Sequence, residues 1–252
     1  MIDIIITELQ KLKRYSILWI GIVVVSISPA MSVFTQSMYV KKDPTYGFSS
    51  LVNDTIWNNM GLFLPITISL IGGYMINREY TENTLKNILT IPMSFRKMLI
   101  GKILTLAIVT ILFSFYSFII TLICSIIFFP KDITFIAIIK SLAQIIGMAI
   151  CIYIAELPII VFCSRKPNMF MGGVIISFVY GYFSIFLSGQ NLQDIYPLSA
   201  GLGIIGFSGN TGSNITTYNP IIGLIVLCFM IIIAIVILMC TKNNEYENTK
   251  NV

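Results

Sequence analysis

From Ile221 to Cys240 the chain runs for twenty residues without one charged side chain. At roughly 1.5 Å per residue a helix of that length covers about 30 Å, the thickness of a bilayer's hydrocarbon core. Backbone polar groups in hydrocarbon must be satisfied internally, so a stretch of this kind folds as a helix if it enters a membrane at all. Five further apolar stretches precede it, at about 15–34, 58–76, 98–129, 135–163 and 169–187. Hydrophobic residues make up 56% of the chain and charged ones 11%, against roughly 25% charged in soluble domains. The expected fold is therefore an all-α, polytopic membrane protein with six transmembrane helices in one domain, 1–252.

Charge fixes the expected topology. Residues 1–14 carry apolar side chains at Ile2, Ile5, Ile6, Leu9 and Leu12, a helical period, with Asp3, Glu8, Gln10, Lys11 and Lys13 on the remaining surface. That pattern predicts a helix lying in the interface. Thr35 to Trp57 reads as a polar external loop, and 98–129 is longer than one crossing requires. The Gly, Ser, Asn and Thr-rich stretch 188–220 reads as an external loop holding a re-entrant or surface-lying apolar element at Tyr196–Phe207, and 241–252 as a cytoplasmic tail. With both termini in the cytoplasm, twelve of the sixteen basic residues fall on that side and four, Lys41, Lys42, Lys131 and Lys140, on or near the outside. Positive residues favour the cytoplasmic face, which selects this orientation.

The long charged passage between the first and last apolar segments is 77–102. Acidic Glu79 and Glu82 are followed by Leu85, Ile88 and Leu89, an i, i+3, i+4 set that places one apolar face on a short helix capped by Thr81 or Thr84. Pro92 ends that element, and Ser94 caps the next helix, which starts at Phe95. Arg96 and Lys97 then stand in a first turn, where cations oppose the helix dipole, so membrane orientation rather than helix stability accounts for them.

The order Glu79, Thr84-Leu85, Ile88-Leu89, Pro92, Arg96 and Gly101-Lys102 resembles the first cytoplasmic loop of ABC-2 type transporter permeases. Within that family it is most similar to the small permeases that protect bacteria from lantibiotics and bacitracin-like peptides. One departure is Asn83, where many members carry Gly. The resemblance implies an elbow helix at 1–14 and a coupling helix docking on a separate cytoplasmic ABC ATPase. Glu79, Glu82, Thr84, Leu85, Ile88, Leu89, Pro92 and Arg96 would be the coupling residues. It also implies a homodimer or a heterodimer with a sister permease, a multi-pass place in the bacterial cell membrane, and export of an amphiphilic peptide.

The chemistry the chain can support is narrow. Histidine is absent, which removes imidazole catalysis and His-ligated metals. The five cysteines fall in or at the ends of apolar segments with no CxxC spacing, and no cleavable signal peptide is expected. Gly101-Lys102 lacks the upstream glycine of a phosphate-binding loop and is followed by Ile103, so no cofactor is expected on this chain and ATP would bind the partner subunit. No catalytic or metal residues are assigned, and the basic residues sit beside apolar segments, where topology rather than nucleic acid explains them.

Glu156 is the acidic residue deep in an expected span, where a charge costs roughly 2.5 to 3.5 kcal/mol. It is either a substrate or proton contact, or an interhelical hydrogen bond. An ion-coupled carrier using Glu156, or a non-transporting sensor or anchor, is the alternative to an exporter subunit. Aromatic residues at 113–118 and 178–186 either line a route for an amphiphile or pack the bundle.

Overall fold

A computed structural model describes residues 2–38, 46–81, 95–164, 169–187, 192–207, 210–211, 214–215 and 218–240. Amphipathic α1 (Ile2–Lys13) leads into α2 (Ile17–Met38). Next, α3 (Phe48–Asn58) passes through a π-helical turn, Asn59–Phe63, into α4 (Leu64–Thr81). Beyond the loop come α5 (Phe95–Phe128), α6 (Phe135–Cys163), α7 (Phe170–Phe186), the short α8 (Pro197–Ile204) and α9 (Pro220–Cys240). Between α8 and α9, β1 (Asn210–Thr211) and β2 (Asn214–Ile215) pair antiparallel, Asn210 opposite Ile215.

Among the described residues, five helical units are long and apolar enough to cross a membrane: α2, the continuous Phe48–Thr81, α5, α6 and α9. The sixth apolar helix, α7, has 17 residues, at the short end of a crossing. It packs mainly on α4 and on the π turn before it, and at that turn small residues set the distance: a Cβ on Gly181 would stand 2.5 Å from the Gly61 carbonyl oxygen. Any side chain at that position would push the two helices apart.

The expected loop Thr35–Trp57 and the expected second span 58–76 are both corrected. Helix α2 continues to Met38, and the second membrane unit starts at Phe48. Phe48, Leu51, Val52, Thr55 and Ile56 are buried at i, i+3, i+4, i+7 and i+8, while the less buried Asn53 and Asp54 lower the average hydropathy that marks a span. Asp54 accepts a 2.7 Å hydrogen bond from the Tyr46 hydroxyl. The π turn follows from Pro65, which has no N–H and whose ring would collide with the carbonyl four residues back. The chain widens by one residue just before it, and the Leu64 amide bonds to the Asn59 carbonyl, five residues away.

Polar groups within the bundle are largely tied down by neighbours or by their own helix. Asn59 donates to Ser117 Oγ at 3.1 Å, and Ser26 and Tyr116 share a 2.9 Å bond between α2 and α5. On α5, Thr105, Thr110 and Thr121 return their hydroxyls to the carbonyls four residues earlier. In the stretch expected to be re-entrant or surface-lying, α8 is buried at Leu198, Ser199, Ala200 and Leu202 and packs against α6 and α9.

Candidate functional site

Acidic and basic side chains of α1, α4 and α5 meet at one end of the bundle. Along α1, Ile5, Glu8 and Leu12 fall on one helical face, so Glu8 is turned inward with the apolar stripe rather than out with the polar one. Gly101 lets that face reach α5: a Cβ there would lie 2.5 Å from Ile4 Cγ2. One residue on, Lys102 is 3% exposed and extends between two carboxylates. Its Nζ lies 2.6 Å from Glu8 Oε2 and 2.9 Å from Glu79 Oε1. Lys11 closes the group from the solvent side, 3.0 Å from Glu8 Oε1 and 3.1 Å from Glu79 Oε1.

Two ammonium groups and two carboxylates thus alternate around one centre, contributed by three helices that are far apart in sequence. Glu8 and Glu79 are nearly as buried as Lys102, and a buried charge that loses its partner costs several kcal/mol, so the four residues hold together as a set. Burial works against the ammonium of Lys11. The hydrogen bonds and charge of Glu8 and Glu79 outweigh it, and the pKa is raised above the ordinary lysine value. Two further bonds lace the same end: Tyr80 on α4 donates to the Ser164 carbonyl after α6 at 2.9 Å, and Arg96 on α5 donates to the Met239 carbonyl in the last turn of α9 at 2.7 Å. An Arg at that second helix's C-terminus complements its dipole. Its placement accounts physically for a cation that is unfavourable where it stands on α5.

Residues 4–184 match the model of the ABC-2 family transporter proteins. The chain belongs to that family. Over 157 residues it is 29% identical to the bacitracin transport permease protein BCRB of Bacillus licheniformis, covering 61% of this chain and 73% of that protein. This ABC-2 protein is a multi-pass membrane permease of the ABC exporter class, a transport component and not itself an enzyme.

The residues expected to couple this ABC-2 permease to an ATPase divide in two. Glu79 and Arg96 are placed as above. Glu82, Thr84, Leu85, Ile88, Leu89 and Pro92 lie outside the described residues, as does the expected coupling helix. Glu156 is fully buried, and its Oε2 accepts a 2.6 Å bond from Ser177 of α7, while Oε1 has no partner among the described residues. Of the aromatics, Phe113 and Phe118 are buried in the core, whereas Phe178, Tyr182, Phe183 and Phe186 point off the outer face of α7.

The amphipathic pattern of residues 1–14 assigns Glu8 and Lys11 to the water-facing surface of α1. The signal to the contrary is the i, i+3, i+7 alignment of Ile5, Glu8 and Leu12, which puts an acid in the middle of an apolar stripe. Ser177 carried no such mark, being one small residue among many in α7.

Proposed function

We propose that this permease exports antimicrobial peptides of the bacitracin or lantibiotic kind, or similar amphiphiles, and so gives resistance to them. In this reading it dimerises with itself or a sister permease and is driven by a cytoplasmic ABC ATPase docked on the coupling loop, 77–97. The end bearing the ion-pair cluster faces the cytoplasm, as do both termini. The observation that carries the coupling is that cluster: Glu79 stands at the start of the loop, Lys102 follows it, and Glu8 and Lys11 bind both to α1. A displacement of the loop would then move α1, α4 and α5 together rather than bending one of them.

At the opposite end, α2 and α5 enclose a cavity of about 660 Å³ walled by Val33, Phe34, Cys124, Phe128 and Phe129, with Lys131 at its edge. An apolar wall with a few polar groups suits the apolar part of an amphiphile. The substrate class itself is supported by the likeness to the bacitracin permease.

The test is affinity capture of the tagged chain from membranes of its native host, beside Leu85→Asp, with peptide susceptibility measured in the same strains. Stoichiometric capture of an ATPase by the wild type, lost with Leu85→Asp together with resistance, is the expected result. Capture of no ATPase by either form would overturn the reading. An ion-coupled carrier working through Glu156 draws on that carboxyl's burial with a single hydroxyl donor; it requires transport that survives ATP depletion and is abolished by Glu156→Gln.

A further inference from the structure

The four side chains of the ion-pair joint belong to α1, α4 and α5, and α4 also packs on α6 and α7. Tyr80 follows Glu79 directly, so the helix turns it about 100° away from the joint and toward α6. There its hydroxyl donates to the Ser164 carbonyl at 2.9 Å. Ser164 closes α6: its amide bonds to the Ile160 carbonyl at 3.0 Å, its hydroxyl to the Val161 carbonyl at 2.6 Å, and the residue is 2% exposed. The last carbonyls of a helix have no donor within it. For this buried one a side chain of α4 supplies the bond, and separating the two would strip a buried acceptor of a partner.

The same end of α4 meets α6 and α7 without slack. Gly73 brings α4 against the first residue of α7: a Cβ there would stand 2.9 Å from Phe170 Cβ. Gly173 in turn brings α7 against the last residue of α6, where a Cβ would stand 3.0 Å from Cys163 Sγ. The crevice left among the three helices, walled by Asn77, Tyr80, Ser164 and Phe170, measures about 10 Å³, room for roughly one water. Close-packed elements pass a displacement on rather than absorb it. Helix α4 therefore stands between two firm contacts, the ion-pair joint on one flank and the α6–α7 end on the other.

We propose that Tyr80 is a positioning residue that hands movement of α4 to the α6–α7 end through its bond to Ser164. The role rests on the coupling reading above for its driving force. It adds a residue outside the ion-pair set, reaching the part of the bundle that set does not touch.

The first test needs no ATPase. The full-length chain is purified in detergent with Cys124→Ala, Cys151→Ala, Cys228→Ala and Cys240→Ala. The rate at which a maleimide then labels Cys163, a thiol buried against Gly173, reports how readily α6 parts from α7. Lys102→Met frees the end of α4 and should speed the labelling about five- to tenfold, whereas with Tyr80→Phe already in place it should add less than about twofold. Should Lys102→Met fail to fold, Lys11→Ala carries the cycle with a smaller effect of the same sign. Equal acceleration with Tyr80 and with Tyr80→Phe would overturn the proposal, and so would no acceleration in either. In membranes of the native host, Tyr80→Phe should capture the ATPase as wild type does while peptide resistance falls about five- to tenfold. Unchanged resistance, or capture lost together with resistance, would also count against Tyr80. No ATPase captured even by wild type would sink the exporter reading alone, and the labelling cycle would still decide the role of Tyr80.

Discussion

Two buried acidic sites in this molecule solve the same problem in different ways. Glu8 and Glu79 enter the bundle with two lysines between them, each ammonium touching both carboxylates. Glu156 enters with one serine hydroxyl and, among the described residues, no ion-pair partner. Matched charges bind helices together but make the buried members, Glu8, Glu79 and Lys102, indispensable, because removing one strands another. A carboxyl held by a single hydroxyl is a local arrangement between α6 and α7, and its neighbours do not depend on it. The first arrangement is a structural joint and the second is an isolated polar contact.

Lys102→Met should separate the two most sharply. It leaves Glu8 and Glu79 facing each other with only the partly exposed Lys11 between them, and should cost about 3 to 5 kcal/mol, read as a large fall in thermal midpoint in detergent. Adding Glu8→Gln and Glu79→Gln to that variant should recover much of the loss, since deleting a whole ion-pair set is far milder than breaking one; no recovery would mean that Lys102 acts through packing alone. Gly101→Val should come next, at about 1 to 3 kcal/mol, as the new side chain drives α1 off α5 at Ile4.

Glu156→Gln is expected to lower stability by about 1 kcal/mol or less, because the amide oxygen can still accept from Ser177. A loss comparable to that of Lys102→Met would erase the contrast and mark Glu156 as a joint too. The smallest effect belongs to Lys11→Ala, at most about 1 kcal/mol, since the Lys11 side chain is 39% exposed and water screens its pairs. Its signature lies in pH. The folded-state pKa is raised, so this stabilisation is fully present below the ordinary lysine value of about 10.4 and fades as pH rises through the folded value. The difference in thermal midpoint between wild type and Lys11→Ala should therefore shrink only in strongly alkaline buffer.

The fold was legible because lipid demands long apolar helices, and α5, α6 and α9 announce themselves by length alone. Helix α3 was not, because a half-buried segment keeps polar residues such as Asn53 and Asp54 on one face and so averages out as a loop. The same averaging hid the joint. Glu8, Glu79 and Lys102 each look like ordinary interfacial charges, and only the approach of α1 to Gly101 brings them into one place. The motif containing Glu79 and Gly101-Lys102 was visible in the sequence as a spacing, but the pairing that spacing produces is a long-range contact that no local pattern encodes.

The π turn at Asn59–Phe63 gives the second membrane unit one residue more than a regular helix would hold along the same path. Each residue of an α-helix advances the azimuth by about 100°. If the unit kept all its residues but wound as a regular helix, the far end of α4 would turn by about that angle and swing Glu79 away from both lysines. The unit is thus a crankshaft whose offset, cut near Pro65, sets the phase of a contact some sixteen residues further along the chain.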